Sequence, residues 1–167
     1  SAQVVTDHID TFTETGLRLQ SGAEIDADII VTATGLELLF VGGVELAVDG
    51  EVVDLPSTLT YKGMMLDGVP NFAFAVGYTN ASWTLKCDLT CRYAVRLLNH
   101  LRRTGDVQAR PVNDDPTVTA APLLDLSSGY IQRGAARMPR QGSKFPWQVH
   151  QSYLRDYRVM KLGGIED

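Results

Sequence analysis

Residues 68–98 constrain the fold of this chain more than any other stretch, because they carry a strand, a turn and a helix in order. The apolar run at residues 72–76 has the length and composition of a strand buried on both faces. Gly77 ends the run, and good N-cap residues for a helix follow it. These are Thr79, Asn80 and Ser82. In open α/β sheets, ligands bind at this point, where a helix N-terminus favours an anion or an electron-rich carbonyl.

A long helix is predicted to begin near Ser82 and to end at Gly105. Its polar residues recur at steps of three or four and form one narrow stripe. The stripe contains Asp88, Arg92, Arg96, Asn99 and Arg103. Within it, Asp88 and Arg92 have the spacing of a favourable ion pair between adjacent turns. Apolar residues, including Trp83, fill most of the other positions, so the helix is predicted to be mostly buried.

The length and charge of the chain exclude some classes of partner. Its 167 residues are enough for one domain with a sizeable core. The formal net charge of -5 speaks against nucleic acid or an anionic membrane as the main partner. No apolar run approaches the roughly 20 residues that span a bilayer, and the N-terminus lacks the pattern of a signal peptide. We therefore expect a cytoplasmic protein without a membrane span.

The two cysteines, Cys87 and Cys91, lie one helical turn apart. A disulfide between these positions of a regular helix would have poor geometry. No cluster of histidines and cysteines supports a metal site. We therefore expect reduced thiols in the core of the protein.

The N-terminal third of the chain is predicted to be rich in strands. Short β-rich runs separated by turn residues over residues 4–25 favour a β-meander. The β-branched run at residues 29–31 predicts a second strand buried on both faces. It is followed by Thr34 and Gly35, and small residues at a strand end permit the close approach of a phosphate or of another backbone. The local sequence leaves a ligand site and a packing turn equally open.

The remaining segments are less regular. Residues 44–53 predict a hairpin around Asp49 and Gly50, and further strands are expected within residues 59–66 and 110–112. Residues 124–144 show no period, which predicts a surface excursion that packs on a part of the protein outside this chain. A final helix is predicted from Pro146. Its aromatic stripe is typical of a packing face, and His150 within this stripe is expected to be a packing histidine. His8 and His100 are expected at the surface.

Several catalytic signatures are absent from the sequence. We find no GxGxxG, no GxxxxGK[ST] and no GxSxG. HExxH and a Cys-x-x-Cys pair are absent too. Pattern alone therefore indicates a soluble α/β or α+β domain, with a cofactor or anion site at two strand ends, and no reaction.

Three stretches carry a resemblance to a known family. The first is the aspartate, hydrophobic strand and Ala-Thr-Gly element of residues 28–35. The second is Val-Pro-Asn-Phe through Gly-Tyr-Thr-Asn-Ala-Ser-Trp at residues 69–83, and the third is Gln-Gly-Ser-Lys-Phe-Pro-Trp at residues 141–147. Together they resemble the C-terminal part of flavin-containing monooxygenases. The resemblance is strongest to the Baeyer–Villiger-type branch, which includes the ketone monooxygenases that activate thioamide prodrugs.

The resemblance implies a fold and an activity. The fold is α/β, a partial FAD/NAD(P)-binding Rossmann-like fold with a β-meander and two long helices. Residues 1–36 would end the NADPH-binding domain, and residues 37–167 would form the C-terminal part of the FAD-binding domain. The family uses FAD and NADPH to form a flavin peroxide, which inserts or transfers one oxygen atom. Its small-molecule substrates would be of the ketone or sulfide type.

The resemblance also implies which residues lie near the cofactor. The turn before the long helix borders the flavin, and the helix N-terminus points at the pyrimidine carbonyl of the ring. The Ala-Thr-Gly element lies near the FAD pyrophosphate, so the two strand tips would be parts of one pocket. The cofactor-binding candidates are Thr34, Gly35, Thr79, Asn80, Ala81 and Ser82, with Ser82 or Asn80 as the ring contact. For Trp83, core packing fits at least as well as a cofactor contact. The resemblance gives no catalytic residue and no metal ligand in this chain.

The sequence also departs from the family. The two glycine-rich fingerprints of a complete member are absent, so we expect Ser1 to mark a truncation inside the NADPH domain. This chain alone should then bind FAD weakly or not at all, lack activity, and self-associate through uncovered apolar surfaces. An alternative is a stand-alone relic that binds or scaffolds without catalysis. A disulfide or ferredoxin-type reductase is a third hypothesis, which the absence of a redox cysteine pair disfavours.

Overall fold

The computed structural model describes residues 2–124 and 128–166. The chain divides into two compact units, Ser1–Gly35 and Leu36–Asp167. The chain combines strands with helices, as the α/β prediction requires. Among the described residues, no helix has the length and apolar character needed to cross a membrane.

The first unit is built on a three-stranded antiparallel meander. Its strands are β1 (Ile9–Phe12), β2 (Gly16–Leu19) and β3 (Glu24–Asp26), in that order across the sheet. In the register of β2 with β3, Leu17 is opposite Ile25. This confirms the predicted β-meander, although the β-rich run at residues 4–5 is not a strand and the third strand is Glu24–Asp26.

The predicted buried strand at residues 29–31 is wrong. These residues pair with no strand in the part of the chain that the structure describes. Ile29 and Val31 are 82% and 85% exposed. A strand buried on both faces needs neighbouring strands and a covering layer on each side. The described residues provide neither for this run.

The second unit holds the strands in two-stranded antiparallel pairs, together with three α-helices among its described residues. The pairs are β4 (Ala47–Val48) with β5 (Glu51–Val52), β6 (Thr60–Tyr61) with β7 (Met65–Leu66), and β8 (Ala120–Pro122) with β9 (Arg140–Gly142). The helices are α1 (Trp83–Thr104), α2 (Gly129–Ala135) and α3 (Tyr153–Tyr157), and a π-helical turn over Arg158–Leu162 follows α3. Short 3₁₀ turns lie at Phe40–Gly43 and Leu55–Ser57.

The hairpin predicted around Asp49 and Gly50 is confirmed. Both residues have positive φ angles, 53° and 89°. Two consecutive positive φ values fit the tight turn whose twist matches that of antiparallel strands. The strand expected within residues 59–66 is present as two short strands, β6 and β7.

Helix α1 has the predicted bounds but not the predicted burial. It ends at Gly105, whose φ of 82° is left-handed and whose N–H donates to Leu101 O at 2.9 Å. On its buried side, Leu89 and Tyr93 form a core cluster with Met64, Met65 and Met160. Trp83, Val95 and Leu98 are 55%, 56% and 65% exposed, so the prediction of a mostly buried helix is wrong.

The apolar run at residues 72–76 is not a strand. It forms no regular element, and Phe74 is buried while Ala73 and Ala75 are exposed. Phe74 belongs to a second core cluster with Phe40, Leu66, Val69, Leu123 and Met138. The run is therefore buried on one face only. The strand expected at residues 110–112 is absent as well.

The prediction of a structureless excursion over residues 124–144 is wrong within the described residues 128–144. Helix α2 buries Ile131, and β9 pairs with β8. A Cβ on Gly134 would lie 3.0 Å from Leu38 Cβ, so α2 packs closely on its own unit. Residues 125–127 lie outside the described residues.

The final helix begins at Tyr153, not at Pro146. The carbonyls of Pro146 and Trp147 accept hydrogen bonds from Lys62 N at 2.8 Å and Gly142 N at 2.9 Å. A helix starting at Pro146 would need these carbonyls for its own turns. The prediction of a second long helix is therefore wrong, because this segment bonds to other parts of the unit.

Candidate functional site

The turn at residues 79–82 is the part of the second unit that the sequence singles out for a cofactor. Gly77 and Tyr78 before it are buried, and all four residues of the turn are exposed. A Cβ on Gly77 would lie 2.2 Å from the ring of Trp83, so only glycine lets the chain turn this closely over the start of α1. The turn thus presents Thr79, Asn80, Ala81 and Ser82 at the N-terminus of a 22-residue helix.

The N-terminus of α1 lacks a side-chain cap. Ser82 occupies the N-cap position, but its hydroxyl makes no capping hydrogen bond and instead pairs with Thr84 Oγ1 at 2.9 Å. No acidic residue lies in the first turn. Because the first N–H groups of a helix have no partner within it, the positive end of α1 is open to an electron-rich group.

Gln151, in the C-terminal segment, is hydrogen-bonded to the turn at residues 79–82. Its Oε1 accepts hydrogen bonds from the backbone N–H of Thr79 at 3.0 Å and from Thr79 Oγ1 at 3.2 Å. Asn80 Nδ2 donates to the backbone oxygen of Gln151 at 2.9 Å. Both donors of Thr79 therefore point toward the protein.

A buried polar network lies directly behind the turn. Tyr78 OH donates to Asp156 Oδ2 at 2.6 Å, and Lys86 Nζ donates to the same oxygen at 2.9 Å. Tyr78, Lys86 and Asp156 are 5%, 3% and 6% exposed. Lys86 Nζ also lies 3.4 Å from Met160 Sδ. The network connects the residue before the turn to both α1 and α3.

The sequence prediction missed this network. Lys86 lies among apolar helix positions, which is the only signal that could have marked it as buried. Asp156 lies among the polar residues of its segment and gives no such signal. Its partner Tyr78 is 78 positions away, and no local pattern reports a contact at that separation.

The phenol of Tyr78 provides a test by pH. Burial, and then the hydrogen bond and charge of Asp156, raise the pKa of Tyr78 far above its ordinary range. Above pH of about 10, the unfolded chain loses this proton while the folded protein retains it, so stability falls as the pH rises. We expect Tyr78→Phe to make the free energy of unfolding less steeply dependent on pH above about 10, by about one proton. Chemical denaturation at several pH values measures this; identical slopes would contradict it.

Thr34 and Gly35 lie at the end of the first unit. Both are exposed, and Gly35 has a φ of 96°, a left-handed conformation that favours glycine. They belong to Ser1–Gly35, whereas the turn at residues 79–82 belongs to the other unit. Their role at the FAD pyrophosphate, and the single pocket expected from the two strand tips, stay predictions.

The cysteines and histidines are the other candidate groups of the sequence. Cys87 is half-buried and Cys91 is exposed, so the prediction of two core thiols is wrong. Cys91 lies on the exposed side of α1 with Val95. Within residues 2–124 and 128–166, no three metal-binding side chains cluster, and the cysteines are unpaired. His150 and His100 are half-buried, and His100 Nε2 lies 2.9 Å from Glu166.

A cavity of about 550 Å³ lies along the C-terminal half of α1. Its lining includes Tyr61, Tyr93, His100 and Trp147 and none of the residues of the turn at 79–82. This cavity is therefore separate from the predicted cofactor site, which is an exposed turn.

Comparison with known proteins confirms the resemblance to flavin-containing monooxygenases. The chain is similar over almost its whole length to proteins of this class, and it corresponds to their C-terminal third. It is 49% identical over 168 residues to the FAD-containing monooxygenase EthA of Mycobacterium tuberculosis, and 46% identical to EthA of Mycolicibacterium smegmatis. It is 43% identical to the protein of Acinetobacter baylyi named "Probable FAD-binding monooxygenase AlmA".

Each alignment covers 99% of this chain and 34% of the relative, so the chain spans about a third of the length of the proteins it matches. No family model matches the chain. No solved structure matches it either.

Proposed function

We propose that this chain is the C-terminal part of an FAD- and NADPH-dependent monooxygenase that inserts or transfers one oxygen atom into a ketone- or sulfide-type substrate. The observation that carries the proposal is the exposed turn at residues 79–82 before the uncapped N-terminus of α1. The similarity to proteins named FAD-containing monooxygenases supports the choice of cofactor. The motifs of the sequence support NADPH and the Baeyer–Villiger-type branch.

The residues present fit a flavin. Reduced flavin carries negative charge toward its pyrimidine ring, and the open positive end of α1 would stabilise such charge. The absence of a carboxylate in the first turn of α1 fits the same role. Asn80, Ala81 and Ser82 would border the ring, with Ser82 or Asn80 in contact with it. When bound, FAD would be the group that reacts with O₂.

The domain assignment is part of the same proposal. Residues 1–36 would close the NADPH-binding domain, with Thr34 and Gly35 near the FAD pyrophosphate. Residues 37–167 would complete a Rossmann-like FAD-binding domain. Because this chain spans about a third of its relatives, we infer that it binds FAD weakly or not at all alone and is inactive alone. Its exposed apolar side chains, among them Ile29 and Leu98, support self-association of the isolated chain.

The first experiment expresses the protein at the full length of its relatives. We expect a yellow protein that retains FAD and oxidises NADPH faster when a ketone or a sulfide is added. Product analysis by mass spectrometry should show one added oxygen atom. A colourless protein that oxidises no NADPH with any such substrate would contradict the proposal.

A charge substitution tests the role of the turn in the same full-length protein. Aspartate is a good N-cap residue, so Ser82→Asp should preserve the stability of α1. It also places a negative charge where the ring is proposed to lie, and we expect FAD affinity to fall at least roughly tenfold. The matched control is Ser128→Asp at the N-cap of α2, which should leave FAD affinity unchanged. Equal affinities of the two variants, measured by flavin fluorescence, would exclude a flavin contact at Ser82.

A further inference from the structure

Gln151 is the side chain that joins the C-terminal segment to the turn at residues 79–82. Among the described residues, it supplies every hydrogen bond that ties these four residues to another segment. We propose that Gln151 is a positioning residue for the cofactor-facing turn, an inference that rests on the proposed function. It acts through Thr79 and Asn80 and does not itself contact the cofactor.

The hydrogen bonds divide the polar groups of the turn into two sets. The backbone N–H and the hydroxyl of Thr79 both donate to Gln151 Oε1, and Asn80 Nδ2 donates to the Gln151 carbonyl. These three donors are used within the protein. The amide oxygen of Asn80 and the N–H groups of α1 before Leu85 are left for a ligand, since Leu85 N donates to Ser82 O at 3.2 Å. Thr79 thus serves the site by fixing the backbone, and the contacts to the ring fall to the residues after it.

The turn depends on Gln151 because no other segment of the part that the structure describes hydrogen-bonds to residues 79–82. Residues 79–82 belong to no strand or helix and are all exposed. Tyr78 anchors the chain before the turn through Asp156, and α1 anchors it afterwards. Between these two anchors, Gln151 Oε1 restrains the backbone N–H of Thr79, and the Gln151 carbonyl restrains the side chain of Asn80. A backbone that is fixed before binding loses less conformational entropy when a ligand binds.

Three substitutions separate the acceptor from the bulk of the side chain. Gln151→Leu removes the acceptor and replaces it with an apolar side chain of similar size. Gln151→Glu keeps an acceptor oxygen at the same reach, because a carboxylate accepts the same two bonds. Gln148→Leu is the matched control, since Gln148 is an exposed glutamine of the same segment whose hydrogen bond is from its backbone N–H to Lys144 O.

Two measurements on the full-length protein test the proposal. The first is amide hydrogen exchange of the peptide that covers residues 78–82, without added FAD. The second is the dissociation constant of FAD. We expect Gln151→Leu to accelerate exchange and to weaken FAD binding, each on the order of tenfold, as the loss of two hydrogen bonds predicts. Gln151→Glu should restore exchange to within about threefold of the unsubstituted protein, and Gln148→Leu should change neither measurement.

The outcomes separate this inference from the function it rests on. If the unsubstituted protein binds FAD and Gln151→Leu binds it equally well, the positioning role is wrong and the proposed function stands. Unchanged exchange in Gln151→Leu, or exchange in Gln151→Glu as fast as in Gln151→Leu, also overturns the role of the acceptor. If the unsubstituted protein binds no FAD, the proposed function fails and this inference fails with it; faster exchange in Gln151→Leu would then show only that Gln151 orders the turn.

Discussion

Lys86→Met is expected to lower the free energy of unfolding by roughly 3–5 kcal/mol, the usual cost of removing one partner of a buried ion pair. Lys86 Nζ lies 2.9 Å from Asp156 Oδ2, and the two side chains are 4% and 9% exposed. Methionine keeps the length and apolar stem of lysine but removes the ammonium. The carboxylate of Asp156 would then be left buried with the Tyr78 hydroxyl as its remaining donor.

The same helix provides a matched control for this prediction. Arg92 and Asp88 form an ion pair at 2.7 Å whose side chains are 62% and 57% exposed. Exposed pairs at this spacing contribute only about 0.3–0.5 kcal/mol, so Arg92→Met should be nearly neutral. Chemical denaturation of both variants measures the difference. If Lys86→Met costs no more than Arg92→Met, the buried pair does not form in solution.

Leu89→Ala is expected to cost about 2–5 kcal/mol, because it removes a fully buried side chain and leaves a cavity. Leu89 is 1% exposed and lies between Met64, Tyr93 and Met160 in the core cluster of α1. The control is Leu98→Ala on the same helix, where Leu98 is 65% exposed. That substitution should change stability by less than about 0.5 kcal/mol. Equal losses in the two variants would show that α1 buries both sides in the isolated chain.

The two leucines also show what the sequence could predict about α1. Its start, its end and the Asp88–Arg92 pair follow from local rules: N-cap residues, glycine at the C-terminus and a spacing of four. The local rules do not predict which face of α1 is buried, because the helix has apolar residues on most of its faces. Both Leu89 and Leu98 fit a core position by residue type. Only the packing of Met64 and Met160, from distant segments, distinguishes them.

The sequence predicts a strand correctly where a turn marks its end, and incorrectly where only its residue composition suggests a strand. The Asp49–Gly50 turn and the β-meander predicted within residues 4–25 are confirmed, since both depend on contacts close in sequence. The run at residues 29–31 has a strand composition, but a parallel strand needs partners far away in sequence. Similarly, the helix expected at Pro146 fails because Lys62 and Gly142 donate to the carbonyls that it would use.

For the candidate site, the sequence predicts the turn at residues 79–82 but not the residues that support it. Thr79, Asn80 and Ser82 were found as N-cap residues after an apolar run, and the family resemblance gave them a cofactor. Gln151 and Asp156 carry no local signal, because their partners lie 70 or more residues earlier in the chain. Residues that touch a ligand follow motifs, whereas the residues that support them follow tertiary contacts.

The sequence distance between the turn and its supports has a consequence during protein synthesis. When a ribosome has synthesised this chain as far as residue 140, the turn and all of α1 exist, but neither Gln151 nor Asp156 has been made. Lys86 and Tyr78 then have no carboxylate to share, and Thr79 has no amide to bond. The nascent chain can therefore complete this part of the molecule only when residues 151–156 emerge, and a premature stop codon before that point would leave the turn without its anchors.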